Sequence, residues 1–322
     1  MEYTTLGKTG LRVSVAGLGC GGNSRLGMGA GKSSSEAAQV VRKAMELGVN
    51  YFDTAKNYGT EAAVGEAIKG VSRDSVVIST KSTIKVDGDR LTVDQIIGNL
   101  DNSLKQLDSD YVDIYMLHGV QPVDYDYALE TLAPPLLKEK EKGKFRYLGI
   151  TETAPGDPTQ TMLQRAVQES CWEVAMLAYH MMNQNARAHL FPQMQEKGVG
   201  TLLMFVVRNI FSVPGLLEKT ISDLVEKGDL PNDLPNMEDP LGFLVHDGGA
   251  ESILDAAYRF VRHQAGVDVV LFGTGNPDHL QANIDSILRP ALPDADVATL
   301  HRLFGELTAV GLDRPDNMPR PK

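Results

Sequence analysis

The sequence predicts an α/β protein built as one (β/α)8 TIM barrel with an N-terminal β-hairpin. Three observations carry this. Eight short runs rich in β-branched residues alternate with eight longer amphipathic stretches. The short runs are mostly apolar throughout, as in strands buried on both faces of a parallel sheet. The length of 322 residues suits one such barrel, and no change of composition marks a linker, so residues 1–322 are expected to form a single domain.

The elements follow in order. Tyr3–Leu6 and Leu11–Val15, joined at Lys8-Thr9-Gly10, read as a hairpin before the barrel. The barrel strands are Val13–Leu18, Tyr51–Thr54, Val76–Thr80, Val112–Leu117, Tyr147–Ile150, Val174–Tyr179, Thr201–Val207 and Val267–Phe272. The helices are Ser35–Leu47, Thr60–Lys69, Thr92–Leu107, Tyr127–Lys142, Pro158–Glu169, Ala186–Glu196, Glu251–His263 and Asp278–Leu288. Lys142-Gly143 is a helix stop signal. Two regions depart from the repeat: a proline-containing acidic insertion over 208–249, and residues 291–322, an acidic helical stretch ending in a tail over about 306–322. Both fall where a barrel builds specificity loops.

Composition narrows the function. Lys and Arg number 31 against 42 Asp and Glu, a net charge of −11, which disfavours a nucleic-acid backbone or an anionic membrane as partner. Two cysteines, Cys20 and Cys171, exclude a disulfide scaffold and a Cys-rich metal site. The remaining histidines show no paired helical spacing for a metal. The longest apolar run, Leu202–Val207, is far too short to span a bilayer, and the first residues lack a signal-peptide pattern. The expectation is a cytoplasmic protein with a small-molecule substrate.

In a parallel barrel the carboxyl ends of the strands converge on one face. There the sequence puts Asp53, Lys81, His118 and the pair Thr151-Glu152, with Tyr58 five residues beyond Asp53. From Asp53 the steps are 28, 37 and 33 residues, one βα unit each. A lysine beside a tyrosine lowers the phenol's pKa, and an aspartate holds that lysine charged and oriented. A tyrosine so placed exchanges a proton with a carbonyl or alcohol oxygen, and a neighbouring histidine hydrogen-bonds the same oxygen. Singly, each residue has a structural reading: Asp53 and Lys81 as a barrel ion pair, His118 as a core histidine, Tyr58 as a half-buried aromatic. Together they form a set for carbonyl chemistry, with hydride left to a cofactor.

Asp53-Thr-Ala-Lys-Asn-Tyr58-Gly, Ser79-Thr-Lys81 and Leu117-His118 resemble the aldo-keto reductase superfamily. The resemblance runs from Leu6-Gly-Lys-Thr-Gly-Leu-Arg-Val-Ser to Gly273-Thr-Gly-Asn-Pro-Asp-His-Leu, nearly the whole chain. It implies a (β/α)8 barrel and hydride transfer between a nicotinamide cofactor, usually NADP(H), and a carbonyl or alcohol of an aldehyde, ketone or small sugar. It implies Tyr58 as general acid/base, Lys81 and Asp53 as its tuning pair, and His118 as the substrate-orienting donor.

The resemblance also implies cofactor contacts. Thr151-Glu152 stands where the family has a Ser/Asn pair, so glutamate replaces an N–H donor with a charge. Met176 stands for a glutamine, with Asn183 or Gln184 downstream as substitutes. Phe205 stands for a stacking tyrosine, and Arg208 is placed for the pyrophosphate. Gly273, Thr274 and Gly275 lead into a helix whose first N–H groups suit a phosphate, and Asn283 matches an adenine contact. Gly273 and His279 occupy positions that carry cations in NADP-preferring relatives, so NAD(H) or dual use is in range.

Gly17, Gly19 and Gly22 satisfy G-x-G-x-x-G, but a glycine-rich loop follows rather than a helix, which excludes a Rossmann site. Substrate choice is expected to lie in Arg25–Lys32, the insertion and the tail. Two alternatives remain at this stage: a non-catalytic nucleotide-sensing subunit on the same fold, and a barrel lyase using Lys81 as a Schiff-base amine.

Overall fold

The computed structural model describes residues 1–230 and 238–312. The chain opens with an antiparallel pair, β1 (Tyr3–Thr5) and β2 (Arg12–Ser14), with Tyr3 opposite Ser14. Leu6, Leu11 and Val13 of this hairpin are buried with Tyr51, Ile114, Met116, Val174, Met176, Leu202 and Val269 inside the barrel. The turn seats so closely that a Cβ on Gly7 (φ +47°) would lie 2.5 Å from the Gly198 carbonyl oxygen and 2.8 Å from Gly200 Cα. Gly200 begins a barrel strand and Gly198 ends the helix before it, so the hairpin closes the amino-terminal end. The carboxyl end is left for chemistry.

The strands and helices then alternate: β3 (Ala16–Gly19), α1 (Ser34–Glu46), β4 (Tyr51–Asp53), α2 (Glu61–Ile68) and β5 (Val77–Thr83). A two-residue ladder of β6 (Lys85–Val86) with β7 (Asp89–Arg90) forms a small rim hairpin before α3 (Val93–Leu107). There follow β8 (Val112–Val120), α4 (Ala133–Glu141), β9 (Phe145–Glu152), α5 (Thr161–Ala166), β10 (Val174–Ala178), α6 (Asn185–His189), α7 (Phe191–Lys197) and β11 (Gly200–Met204). The chain continues through α8 (Asn209–Ser212), α9 (Leu216–Lys227), α10 (Ile253–Arg262), β12 (Val269–Phe272), α11 (Asp278–Leu288) and α12 (Asp294–Phe304).

Eight parallel strands close in the order β3, β4, β5, β8, β9, β10, β11, β12 and back to β3. All eight expected barrel strands are present. Sequence caps place the helices: Ser33 with Glu36 and Thr92 with Gln95 each form a capping box. Ala37, Val40, Val41 and Ala44 of α1 and Ile96, Leu100 and Leu107 of α3 are buried on their inner faces. No described helix is long and apolar enough to cross a membrane.

Three expected helices are interrupted. Tyr127–Lys142 begins as a wide π-type turn at Tyr127–Leu132 before α4, because Pro134 and Pro135 lack the N–H groups that a regular ladder needs. Ala186–Glu196 divides into α6 and α7 just before Pro192. Pro158–Glu169 shrinks to α5, preceded by Gln160 in the left-handed region at φ +61°. Within the insertion, α8 and α9 are helical, while the prolines at 231 and 235 lie outside the described residues. The acidic stretch forms α12; of the tail, 313–322 lie outside the described residues.

Candidate active site

Asp53 ends β4 level with Ser79, whose hydroxyl donates to Asp53 Oδ1 at 2.7 Å. Lys81 and His118 were expected to close their strands, but each lies two residues inside, because β5 runs on to Thr83 and β8 to Val120. Lys81 is fully buried. Its ammonium donates to both oxygens of Asp53, at 2.6 and 2.7 Å, and to the Thr54 carbonyl at 2.8 Å. The ammonium is thus paired with a carboxylate, whereas a Schiff-base lyase needs a neutral amine with no carboxylate beside it.

Tyr58 closes a short 3-10 turn, its N–H on the Ala55 carbonyl, and Gly59 at φ +71° leads out of it. The Thr54 and Thr60 hydroxyls, 2.9 Å apart and buried, pin the two ends of this segment. The ring centroid lies 4.9 Å from Lys81 Nζ, and His118 meets the ring edge-on at 5.6 Å. The structure therefore brings all four expected residues to one place.

Burial pushes the Tyr58 phenol up, and this outweighs the downward pull of the Lys81 charge. The expected net lowering is corrected: in the free protein the phenol holds its proton. Burial pulls Lys81 down, but Asp53, and then Tyr58, outweigh it, so the ammonium stays charged. Burial, then the Lys81 charge, drives His118 down to about 3, so its ring is neutral at ordinary pH. Its Nδ1 is buried without a protein partner. A protonated phenol, a fixed cation beneath it and a neutral imidazole beside it are what proton transfer to a carbonyl oxygen requires.

The aldo/keto reductase family model matches residues 17–304, which takes in all of the barrel strands but for Ala16, the first residue of β3. The chain belongs to the aldo-keto reductase family. It is 32% identical to an L-galactose dehydrogenase of Arabidopsis thaliana over 208 residues, 63% of this chain and 64% of that protein. It is 27% identical to the aldo-keto reductase YhdN of Bacillus subtilis over 88% of this chain and 87% of that protein. The match thus spans less than two thirds of the first relative and most of the second. Among solved structures, the holo form of the aldo-keto reductase AKR11C1 from Bacillus halodurans superposes with a TM-score of 0.72 at 22% identity, covering 97% of this chain and all of that one. That likeness establishes the fold.

Aldo-keto reductases are NAD(P)H-dependent oxidoreductases, and the residues at this barrel mouth fit a nicotinamide dinucleotide. Besides His118 Nδ1, Glu152 Oε2 and Gln160 Oε1 are buried polar atoms without protein partners. Glu152 does not bring the expected charge. Its Oε1 accepts the Ala178 N–H at 2.5 Å and the Gln160 amide at 3.2 Å, and burial raises the carboxyl to about 8, so it is protonated and carries its own O–H donor near neutrality. Thr151 accepts the Gly119 N–H at 2.7 Å. Phe205 ends β11 early by adopting φ +65°, an uncommon conformation for an aromatic residue, with the Arg208 guanidinium 4.0 Å from its ring centroid.

After β12, Thr274 Oγ1 accepts the Asn276 N–H, and Asn276 Oδ1 accepts the N–H of Asp278. One helix-start donor is thereby used, and Asp278 adds a negative charge there. Gly273 and His279 are exposed, Gly275 and Asn283 half-buried. Met176 is packed in the barrel core. Gln184 cannot substitute for the family glutamine, since its amide donates to Met181 and Leu300 and its oxygen meets His301 Nδ1.

Sequence reasoning missed Gln160 and the contacts made by Ser79 and Lys32. Ser79 sits in the Ser-Thr-Lys run already singled out, so its proximity to Asp53 was within reach. Gln160 carries no signal, because its place depends on its left-handed backbone. Lys32 reaches the Gly275 carbonyl at 2.7 Å across 243 residues, a contact that only barrel closure creates.

Proposed function

We propose that this protein is an NAD(P)(H)-dependent oxidoreductase that interconverts a carbonyl and an alcohol on a small aldehyde, ketone or sugar, with Tyr58 as general acid/base. The observation that carries this is the buried Asp53–Lys81 pair under the Tyr58 ring, with neutral His118 at its edge. The dinucleotide supplies and accepts hydride when bound. Thr151, Glu152, Phe205, Arg208, Gly273, Thr274, Gly275, His279 and Asn283 are the residues assigned to hold it.

In the reducing direction Tyr58 donates its hydroxyl proton to the carbonyl oxygen. The phenolate left behind sits beside the Lys81 ammonium, whose charge favours that form although burial opposes it. Asp53 keeps Lys81 charged and aimed, and Ser79 and the Thr54 carbonyl fix the pair. His118, neutral across the working pH range, hydrogen-bonds the same oxygen and steers the substrate. In the oxidising direction the same phenolate takes the alcohol proton. A small sugar is the favoured class, since the L-galactose dehydrogenase is among the chain's relatives.

The test is a Tyr58→Phe variant assayed with NADPH and NADH against short aldehydes and aldoses. We expect a loss of about 10²–10⁴-fold in kcat, with nicotinamide fluorescence titrations unchanged. Full activity in this variant would remove Tyr58 as the proton donor. Failure of the wild-type protein to bind either dinucleotide would remove the reductase reading. Given Asp278 in the first turn and no cation from Gly273 or exposed His279, the titrations are expected to show use of both dinucleotides.

A further inference from the structure

We infer that Gly21, in the loop after β3, is a positioning residue for Tyr58: it is the wall against which the phenol ring is seated. This rests on the proton-donor reading of Tyr58 and goes beyond it. A Cβ on Gly21 would stand 2.6 Å from Tyr58 Cζ and 2.7 Å from Cδ2, and closer still to Cε2. Ordinary carbon contacts are about 3.5–4.0 Å. The ring, including the carbon that bears the hydroxyl, therefore occupies the space that a side chain at position 21 would need.

Neither side can yield cheaply. The ring is backed by Lys81 and His118, and its chain segment is pinned by the Thr54–Thr60 contact. The loop is fixed at both ends. Cys20 donates its N–H to the Asp53 carbonyl at 2.8 Å, and Lys32 donates to the Gly275 carbonyl at 2.7 Å. In between, Arg25 donates its N–H to the Gly21 carbonyl, and Leu26 is fully buried although both residues are left-handed, at φ +42° and +58°. Gly27 and Gly275 pack backbone on backbone, so a Cβ on Gly275 would overlap Gly27. One loop thus touches the phenol at its start and the turn after β12 at its end. Any side chain at position 21 moves the hydroxyl by about 1 Å relative to Lys81 and His118.

The experiment compares wild type, Gly21→Ala, Tyr58→Phe and the double variant. A displacement of about 1 Å predicts a loss of about 10²-fold in kcat for G21A with KM nearly unchanged. The alkaline limb of its pH profile should move up as the phenol leaves the lysine. The double variant should be no slower than Y58F alone. In the cofactor-free protein, the 13Cζ tyrosine resonance that is missing in Y58F should shift in G21A. If G21A does not fold, Lys32→Met releases the far end of the loop and should shift the same resonance. Unchanged kcat with an unshifted resonance in G21A, or an unshifted resonance in a K32M protein standing in for it, overturns the inference. If the wild type reduces no carbonyl, or Y58F remains fully active, the functional reading falls, while the resonance still reports whether Gly21 seats the ring.

Discussion

Replacing Glu152 by glutamine should stabilise the protein, and the gain should grow with pH. In the fold the carboxyl is fully buried and its pKa stands at about 8 against 4.5 for an ordinary glutamate, burial being the largest cause. Unfolded chains lose this proton near pH 4.5, folded chains near 8. Between those values folding takes up a proton, so stability falls as pH rises and levels off once the folded group is also ionised. At about 1.4 kcal/mol per pH unit, the ceiling is roughly 3 kcal/mol at pH 7 and roughly 5 kcal/mol above pH 8. Glutamine keeps an oxygen for the Ala178 N–H and carries no ionisable proton. Urea unfolding of wild type and E152Q between pH 5 and 9 measures the difference directly. The two midpoints should nearly coincide at pH 5 and separate upward, with E152Q the more stable. Parallel curves across this range would mean that Glu152 is already ionised in the fold at pH 5, which would refute the raised pKa.

Two further outcomes follow from the same site. Lys81→Met leaves Asp53 as a buried charge without its cation and should cost about 3–5 kcal/mol, most of it recovered in a K81M/D53N double variant; thermal unfolding of the three variants checks this. His118 is held near 3, below its unfolded 6.5, so its contribution is full above pH 6.5 and is lost as pH falls toward 3. His118→Gln should therefore unfold at lower pH than wild type in an acid titration, while its kcat falls and its neutral-pH stability changes little.

Much of this architecture was legible because the determinants are local. Eight apolar runs with capped helices between them specify the barrel, and polar residues ending such runs have one face to occupy. Asp53, Tyr58, Lys81 and His118 could be found that way. What escaped depends on closure or on balance. Gln160 and Phe205 take left-handed conformations that no local pattern announces, since neither is glycine, asparagine or aspartate. The Lys32–Gly275 contact joins opposite ends of the sequence. The sense of the Tyr58 shift required weighing burial against the lysine charge, which residue identity alone does not permit.

That balance bears on why the aspartate is needed. Burial by itself favours the neutral amine of Lys81, and a neutral amine would do nothing to favour a phenolate. Asp53 reverses this, and Ser79, by donating to the same carboxylate, holds it in place. The net charge of the Asp53–Lys81 pair is zero, yet the pair is not electrostatically neutral toward Tyr58, because the ammonium faces the ring at 4.9 Å. The acid is thus tuned by a dipole rather than a bare charge. It keeps its proton in the free protein, and in the proposed mechanism the Lys81 charge favours the conjugate base that transfer would leave. His118 is kept uncharged by burial and by the same ammonium, so in the proposed mechanism its role is that of a neutral hydrogen-bond donor to the substrate oxygen and not of a competing acid. A division of labour between one proton donor and one neutral hydrogen-bond donor is therefore a consequence of where Lys81 sits.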